Sequence, residues 1–158
     1  MDDSGRPQIT FDPCLDIPDG LLVDAGYDPR SKEKADYPMG SYSFLGCRYE
    51  GTVRIPGVLR RYGLSILSGN VTIEEELLKD ADIASEIEID GHRALLEVGP
   101  RNKNSCAIVL QTSFGITMLN RRYWPDHTRD VPQSEWCVGL ADLATKIAPL
   151  VGADRPHG

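Results

Sequence analysis

The chain is poor in the features that announce a membrane span, a metal finger or a common catalytic site. No apolar run approaches the roughly 20 residues needed to cross a bilayer, so no membrane-spanning helix is expected. The start Met-Asp-Asp-Ser-Gly has neither the basic n-region nor the apolar h-region of a signal peptide, and a soluble chain is the expectation. Only three histidines occur, His92, His127 and His157, and no two have ligand spacing. There is no Gly-x-Ser-x-Gly elbow, no Walker loop and no Gly-x-Gly-x-x-Gly. Positive charge is also short: 17 Lys and Arg against 24 Asp and Glu give a net charge of −7. Long-range repulsion from phosphate backbones disfavours nucleic-acid binding.

What is present is ordinary globular material. The 158 residues, 41% hydrophobic and 26% charged, suit one domain with a real core and exclude a disordered or coiled-coil chain. Residues 1–8 carry no pattern and read as a flexible tether, 9–151 as the domain, and 152–158 as a frayed tail.

Cys14, Cys47, Cys106 and Cys137 stand singly, never as Cys-x-x-Cys, which argues against a zinc ribbon or a thioredoxin-type site. Two disulfides are the preferred reading, with four buried thiols of a cytosolic protein as the competitor. Three pairings are open. Sequential pairing would close two loops of similar length, each worth about 3–4 kcal/mol by chain entropy. Disulfides imply an oxidising compartment, and the chain is then expected to be a mature or trimmed exported segment with Met1 placed in front.

Along the chain, Asp16 can cap a short helix, Pro18 fits its first turn and Gly26 suits a left-handed stop. Residues 27–43 read as a long surface loop. Phe44 to Tyr49 and Tyr62 to Ser68 read as strands, with Ile55-Pro56-Gly57 as a turn between them. Thr72 with Glu75 fits a capping box opening a helix that ends near Asp82. Asp90-Gly91 marks a hairpin between 86–89 and 93–98, and a second joins Cys106–Thr112 to Ile116–Arg121. Residues 122–133 read as irregular. Ser134 can then cap a final helix whose Trp136, Leu140, Ala144, Ile147 and Val151 form one stripe, with Cys137 in its first turn. Hairpins make an antiparallel sheet and the helices need a surface to cover, so the expected fold class is α+β, a single-domain sandwich of sheet and helices.

The run Ile9-Thr10-Phe11-Asp12-Pro13-Cys14, the helix ending at Gly26, and Gly46-Cys47-Arg48-Tyr49 resemble an uncharacterised family of actinobacterial envelope lipoproteins, a domain of unknown function with a Phe-Asp-Pro-Cys motif. The family's second cysteine pair joins a late strand to a final helix of the form Cys-x-x-x-Ala-x-x-x-Ala. Cys106 and the run from Cys137 through Ala141 to Ala144 are similar to that arrangement. The resemblance covers roughly residues 9–151, with Tyr49 where members usually carry Trp and residues 51–58 as added length. It implies export, lipidation of a cysteine upstream, and disulfides formed outside the membrane; it implies no catalytic residues. The element order is also similar to the PsbP fold, an antiparallel sheet with helices on both sides.

For chemistry, a Ser-His-Asp site drawn from distant positions has few histidines to serve as base. Glu74, Glu75 and Glu76 suggest either a carboxylate cluster for metal or acid–base work or, preferred, a first helical turn matched to the macrodipole. Arg121, Arg122, Tyr123, Trp124 and His127 form the densest set of recognition-type side chains, which Arg60 and Arg61 could extend into a positive patch. The bland reading makes Trp124 a plug and leaves the arginines solvated. The expected function is a non-enzymatic, exported envelope domain binding a protein or envelope ligand, with no cofactor and no metal. The alternatives are a neutralising or accessory partner of a secreted effector, using an acidic face and the 27–43 loop, a carrier of lipid or another hydrophobic molecule, and a hydrolase.

Overall fold

The structure is a computed structural model that describes residues 6–35, 37–38, 43–55, 58–99, 104–124 and 133–151. Its strands are β1 (Tyr27–Lys34), β2 (Tyr37–Pro38), β3 (Ser43–Ile55), β4 (Val58–Gly69), β5 (Ala84–Ile89), β6 (His92–Glu97), β7 (Ser105–Thr112) and β8 (Gly115–Tyr123). The helices are α1 (Pro13–Asp16), α2 (Asp19–Asp24), α3 (Ile73–Lys79) and α4 (Leu140–Val151). Seven strands form one sheet in the order β1-β3-β4-β8-β7-β6-β5, and the two-residue β2 also pairs with β3. Every pairing is antiparallel. The α+β expectation and both disulfides, Cys14–Cys47 and Cys106–Cys137, are present.

The local signals that specify geometry most tightly are realised. Asp90 and Gly91 both take positive φ, 51° and 81°, as the twist-matched two-residue hairpin turn requires. Thr72 accepts from Glu75 N while the Glu75 carboxylate accepts from Thr72 N, a complete capping box. The strands read as 44–49 and 62–68 are the open end of a longer hairpin, which stays paired toward its turn as far as Ile55 and Val58; residues 56–57 of the expected turn lie outside the described residues.

Three expectations are corrected. The segment 27–43, read as a loop, contains the edge strand β1. Its side chains alternate little between apolar and polar because beyond Tyr27 those on both faces are exposed or half-buried, and a register shift between Asp28 and Glu33 interrupts the ladder. Asp16 does not cap. Asp12 does, accepting from Cys14 N ahead of α1, while the Asp16 carboxylate accepts from Asp12 N; Pro18 then starts a separate α2. The final helix begins at Leu140, after a 3₁₀ turn at Gln133–Glu135 and a left-handed Gly139, so Cys137 sits in the approach to α4.

The sheet separates two groups of buried side chains. On one face Leu140, Leu143, Ala144, Ile147 and Ala148 of α4, with Cys14 of α1 and Leu22 of α2, pack on Tyr49, Tyr62, Leu64, Ile66, Ile108, Leu110, Leu119 and Tyr123. On the other, Ile73 of α3 packs on Leu95, Val109 and Ile116. The parity of each strand decides which side chain meets which helix. Arg6, within the expected tether, donates both guanidinium nitrogens to the Glu75 carboxylate at 2.6 and 2.9 Å and holds the N-terminal segment on α3.

Candidate functional site

The stretch expected to bind as one patch is divided by strand alternation. Arg121 and Tyr123 point into the helix-covered face, whereas Arg122 and Trp124 point to the other. Arg121 is 2% exposed, so it cannot reach a ligand from solvent. Its Nη2 donates to the Trp136 carbonyl at 2.7 Å, and its guanidinium lies over the Tyr62 and Tyr123 rings at 5.5 and 4.9 Å. The Tyr123 hydroxyl donates to the Glu135 carbonyl, so both residues tie the approach to α4 onto the sheet. Burial raises the hydroxyl pKa of Tyr62 and of Tyr27, with Arg121 opposing the rise in each. The correction is therefore that Arg121 and Tyr123 are core residues. His127 and the Arg60 side chain lie outside the described residues.

Trp124 is different. It is 54% exposed, and the Arg61 guanidinium lies over its ring at 5.8 Å. A methyl group placed on Gly63 would reach the Trp124 ring nitrogen at 3.7 Å, so the indole overhangs that glycine. From there the open face runs across the sheet in two ladder rows: Glu50, Gly63, Arg122 and Ser105, then Arg48, Ser65, Asn120, Ala107 and Glu97. Small side chains at Gly63, Ser65, Ser105 and Ala107 make the floor, with longer ones as walls. Two clefts, of about 660 and 590 Å³, adjoin there and share Asn120 and Arg122.

The second cleft ends against α3 in three carboxylates. Glu76 and Asp80 stand one helical turn apart, and Glu97 ends β6 opposite them; one oxygen of each lies within 4.8 Å of the others. Glu76 is 3% exposed and Glu97 6%. Burial raises both carboxyl pKa values. Glu97 is pushed up to about 9, first by burial, then by its hydrogen bond and proximity to Glu76, so it holds a proton that Glu76 accepts. Lys79 Nζ reaches Glu76 Oε1 at 3.3 Å and Asp80 at 3.9 Å from the solvent side.

The Glu74–Glu75–Glu76 run therefore serves three separate purposes. Glu74 pairs with Arg93 at 2.6 Å, Glu75 completes the capping box and takes Arg6, and only Glu76 turns inward. Arg6 and the cap hold the Glu75 carboxyl down to about 2. Glu97 was not legible as a partner for Glu76. The available signal was parity: Glu97 lies two residues beyond Leu95, hence on the same sheet face, the one α3 covers.

His92 lies at the hairpin end of β6, paired with Ile89, at the opposite end of the strand from Glu97. His157, like His127, is outside the described residues. Both disulfides fit an oxidising, extracytoplasmic setting, and among the described residues no helix is long and apolar enough to cross a membrane. Comparison of the chain with protein-family models, with curated proteins and with solved structures gave no match.

Proposed function

We propose that this chain is the exported domain of a lipid-anchored envelope protein and acts as a non-enzymatic binding module through its open sheet face. The observation that carries the reading is the exposed Trp124 beside Arg61 and Arg122, above a floor of small side chains. Indole and guanidinium groups combine large contact area with directional polar tips, and a floor without bulk leaves room for a partner's side chains. The two disulfides support the compartment. The lipid anchor, the actinobacterial envelope and the PsbP-like architecture rest on the resemblance of the Phe11-Asp12-Pro13-Cys14 and Cys137 regions.

The alternatives have less support. The neutralising-partner reading keeps the net charge of −7, but residues 27–34 of its loop are an edge strand. The carrier reading needs space between α4 and the sheet, where fully buried Leu140, Ala144 and Ile147 already pack.

Site-specific photocrosslinking in the native envelope tests the proposal. A photoreactive residue at position 124 or 122 should give a discrete adduct that the same residue at exposed Leu15 or Leu78 does not. No adduct at 124 and 122, or the same adducts at all four positions, would overturn it.

A further inference from the structure

We propose that Glu76, Asp80 and Glu97 form a binding site for a hard divalent cation, with calcium the ion that suits their chemistry. The site joins two elements distant in sequence, the C-terminal turn of α3 and the end of β6, and one oxygen from each residue can address a single centre. The donor set is all oxygen, without histidine or thiolate, which is the chemistry of calcium and magnesium rather than zinc or copper. Asn120 and Ser105 line the same cleft and offer further neutral oxygens. Calcium takes six to eight oxygens in flexible geometry, so such a mixed set with open positions for water suits it better than the strict octahedron of magnesium.

An independent observation points to a cation as the ligand. Oε2 of Glu76 and Oε2 of Glu97 are both buried without a hydrogen-bond partner, on side chains more than nine-tenths buried. Buried carboxyl oxygens ordinarily have partners, because leaving them bare forfeits the hydration they had in water. Lys79 does not fill that need. It approaches from outside, contacts Glu76 through the other oxygen, Oε1, and is 68% exposed on a flexible stem. An ion seated among the three carboxylates would reach the oxygens that Lys79 leaves bare.

Calorimetric titration of the intact chain with calcium chloride, at ionic strength held constant with sodium chloride, tests the site. Saturable one-to-one binding is expected, in the range of about 10⁻⁴–10⁻³ M found for extracellular calcium modules. Glu97→Gln and Asp80→Asn should each weaken it by about tenfold or more, and Lys79→Ala, which removes a competing cation, should tighten it. Thermal melts with and without calcium give a second readout, in which the upward shift of the wild type should disappear in both carboxylate variants. Absence of saturable binding to the wild type up to about 10 mM, roughly tenfold above the weakest such modules, would overturn the proposal. So would a calcium response that both carboxylate variants retain.

Discussion

The two faces of this sheet share one backbone and differ in almost everything else. On the helix-covered face the tyrosines, α4 and the half-cystines Cys47 and Cys106 leave nearly every side chain buried. On the other face, among the described residues, α3 covers one end, over Ile116, Val109 and Leu95, and next to it lies a floor of Gly, Ser and Ala bordered by Trp124, Arg122 and Arg48. One face holds the molecule together, and the other carries the clefts on which the proposed binding role rests. Arg121 and Arg122, adjacent in the chain, belong to different environments because side-chain direction alternates.

The comparison breaks most visibly at the disulfides. Replacing Cys106 and Cys137 together by serine opens a link of sequence separation 31, and denaturant unfolding without reductant should show a loss of about 3–4 kcal/mol. The Cys14 and Cys47 pair, at separation 33, should lose a similar amount. An unchanged midpoint in either double variant would mean that the closed face does not depend on its covalent links.

The neighbouring arginines give the next largest contrast. Arg121→Ala strips the Trp136 carbonyl of a charged donor inside the core and should cost about 2–3 kcal/mol. Arg122→Ala, on the open face, should stay within about 0.5 kcal/mol. Equal losses for the two would erase the distinction between faces.

That contrast also marks what could be read from the residues alone. The Asp90-Gly91 turn, the Thr72 capping box and the hairpin of β7 and β8 are local: a few neighbouring residues specify each backbone geometry, and the structure reproduces them. The strand β1 escaped because its pairing is set by β3, not by its own weak pattern. The joining of Glu76, Asp80 and Glu97 escaped for the same reason. It depends on which strand register places Glu97 beneath α3, while Glu76 taken alone looks like any acidic residue in a first helical turn. The Arg121–Trp124 patch was visible as composition, but its division into core and surface required the exact span of β8.

The carboxylates beneath α3 sharpen the comparison at its wet boundary. In calcium-free buffer the folded chain keeps the Glu97 proton to about pH 9, against an ordinary value of 4.5. Folding therefore takes up a proton between those limits, and stability should fall as pH rises from about 4.5 to about 9. Glu97→Gln needs no proton and should flatten that slope. At pH 8 it should be the more stable protein, by about 1–2 kcal/mol, in chelated buffer. A wild-type curve that stays level across this range would place the Glu97 carboxylate in water, and the covered end of the open face would then be wetter than its burial indicates.

The smallest effect lies at the other end of α3, where the same helix turns its cap to solvent. Thr72→Ala removes the oxygen that accepts from Glu75 N and should cost about 1 kcal/mol. The carboxylate side of the box titrates in the opposite sense to Glu97. Glu75 is held down to about 2 by Arg6 and the cap, so its contribution is complete above about pH 4.5 and fades as pH falls toward 2. Because Arg6 and Glu75 are both partly open to water, that acid-side loss should be under about 1 kcal/mol. Urea midpoints of wild type, Thr72→Ala and Glu75→Gln between pH 2 and 5 separate the two halves of the box. Glu75→Gln should lose the acid-side slope while Thr72→Ala retains part of it through Arg6. If both variants kept the wild-type slope, the acid sensitivity would arise elsewhere, and α3 would be held by its contacts with Leu95 and Val109 alone.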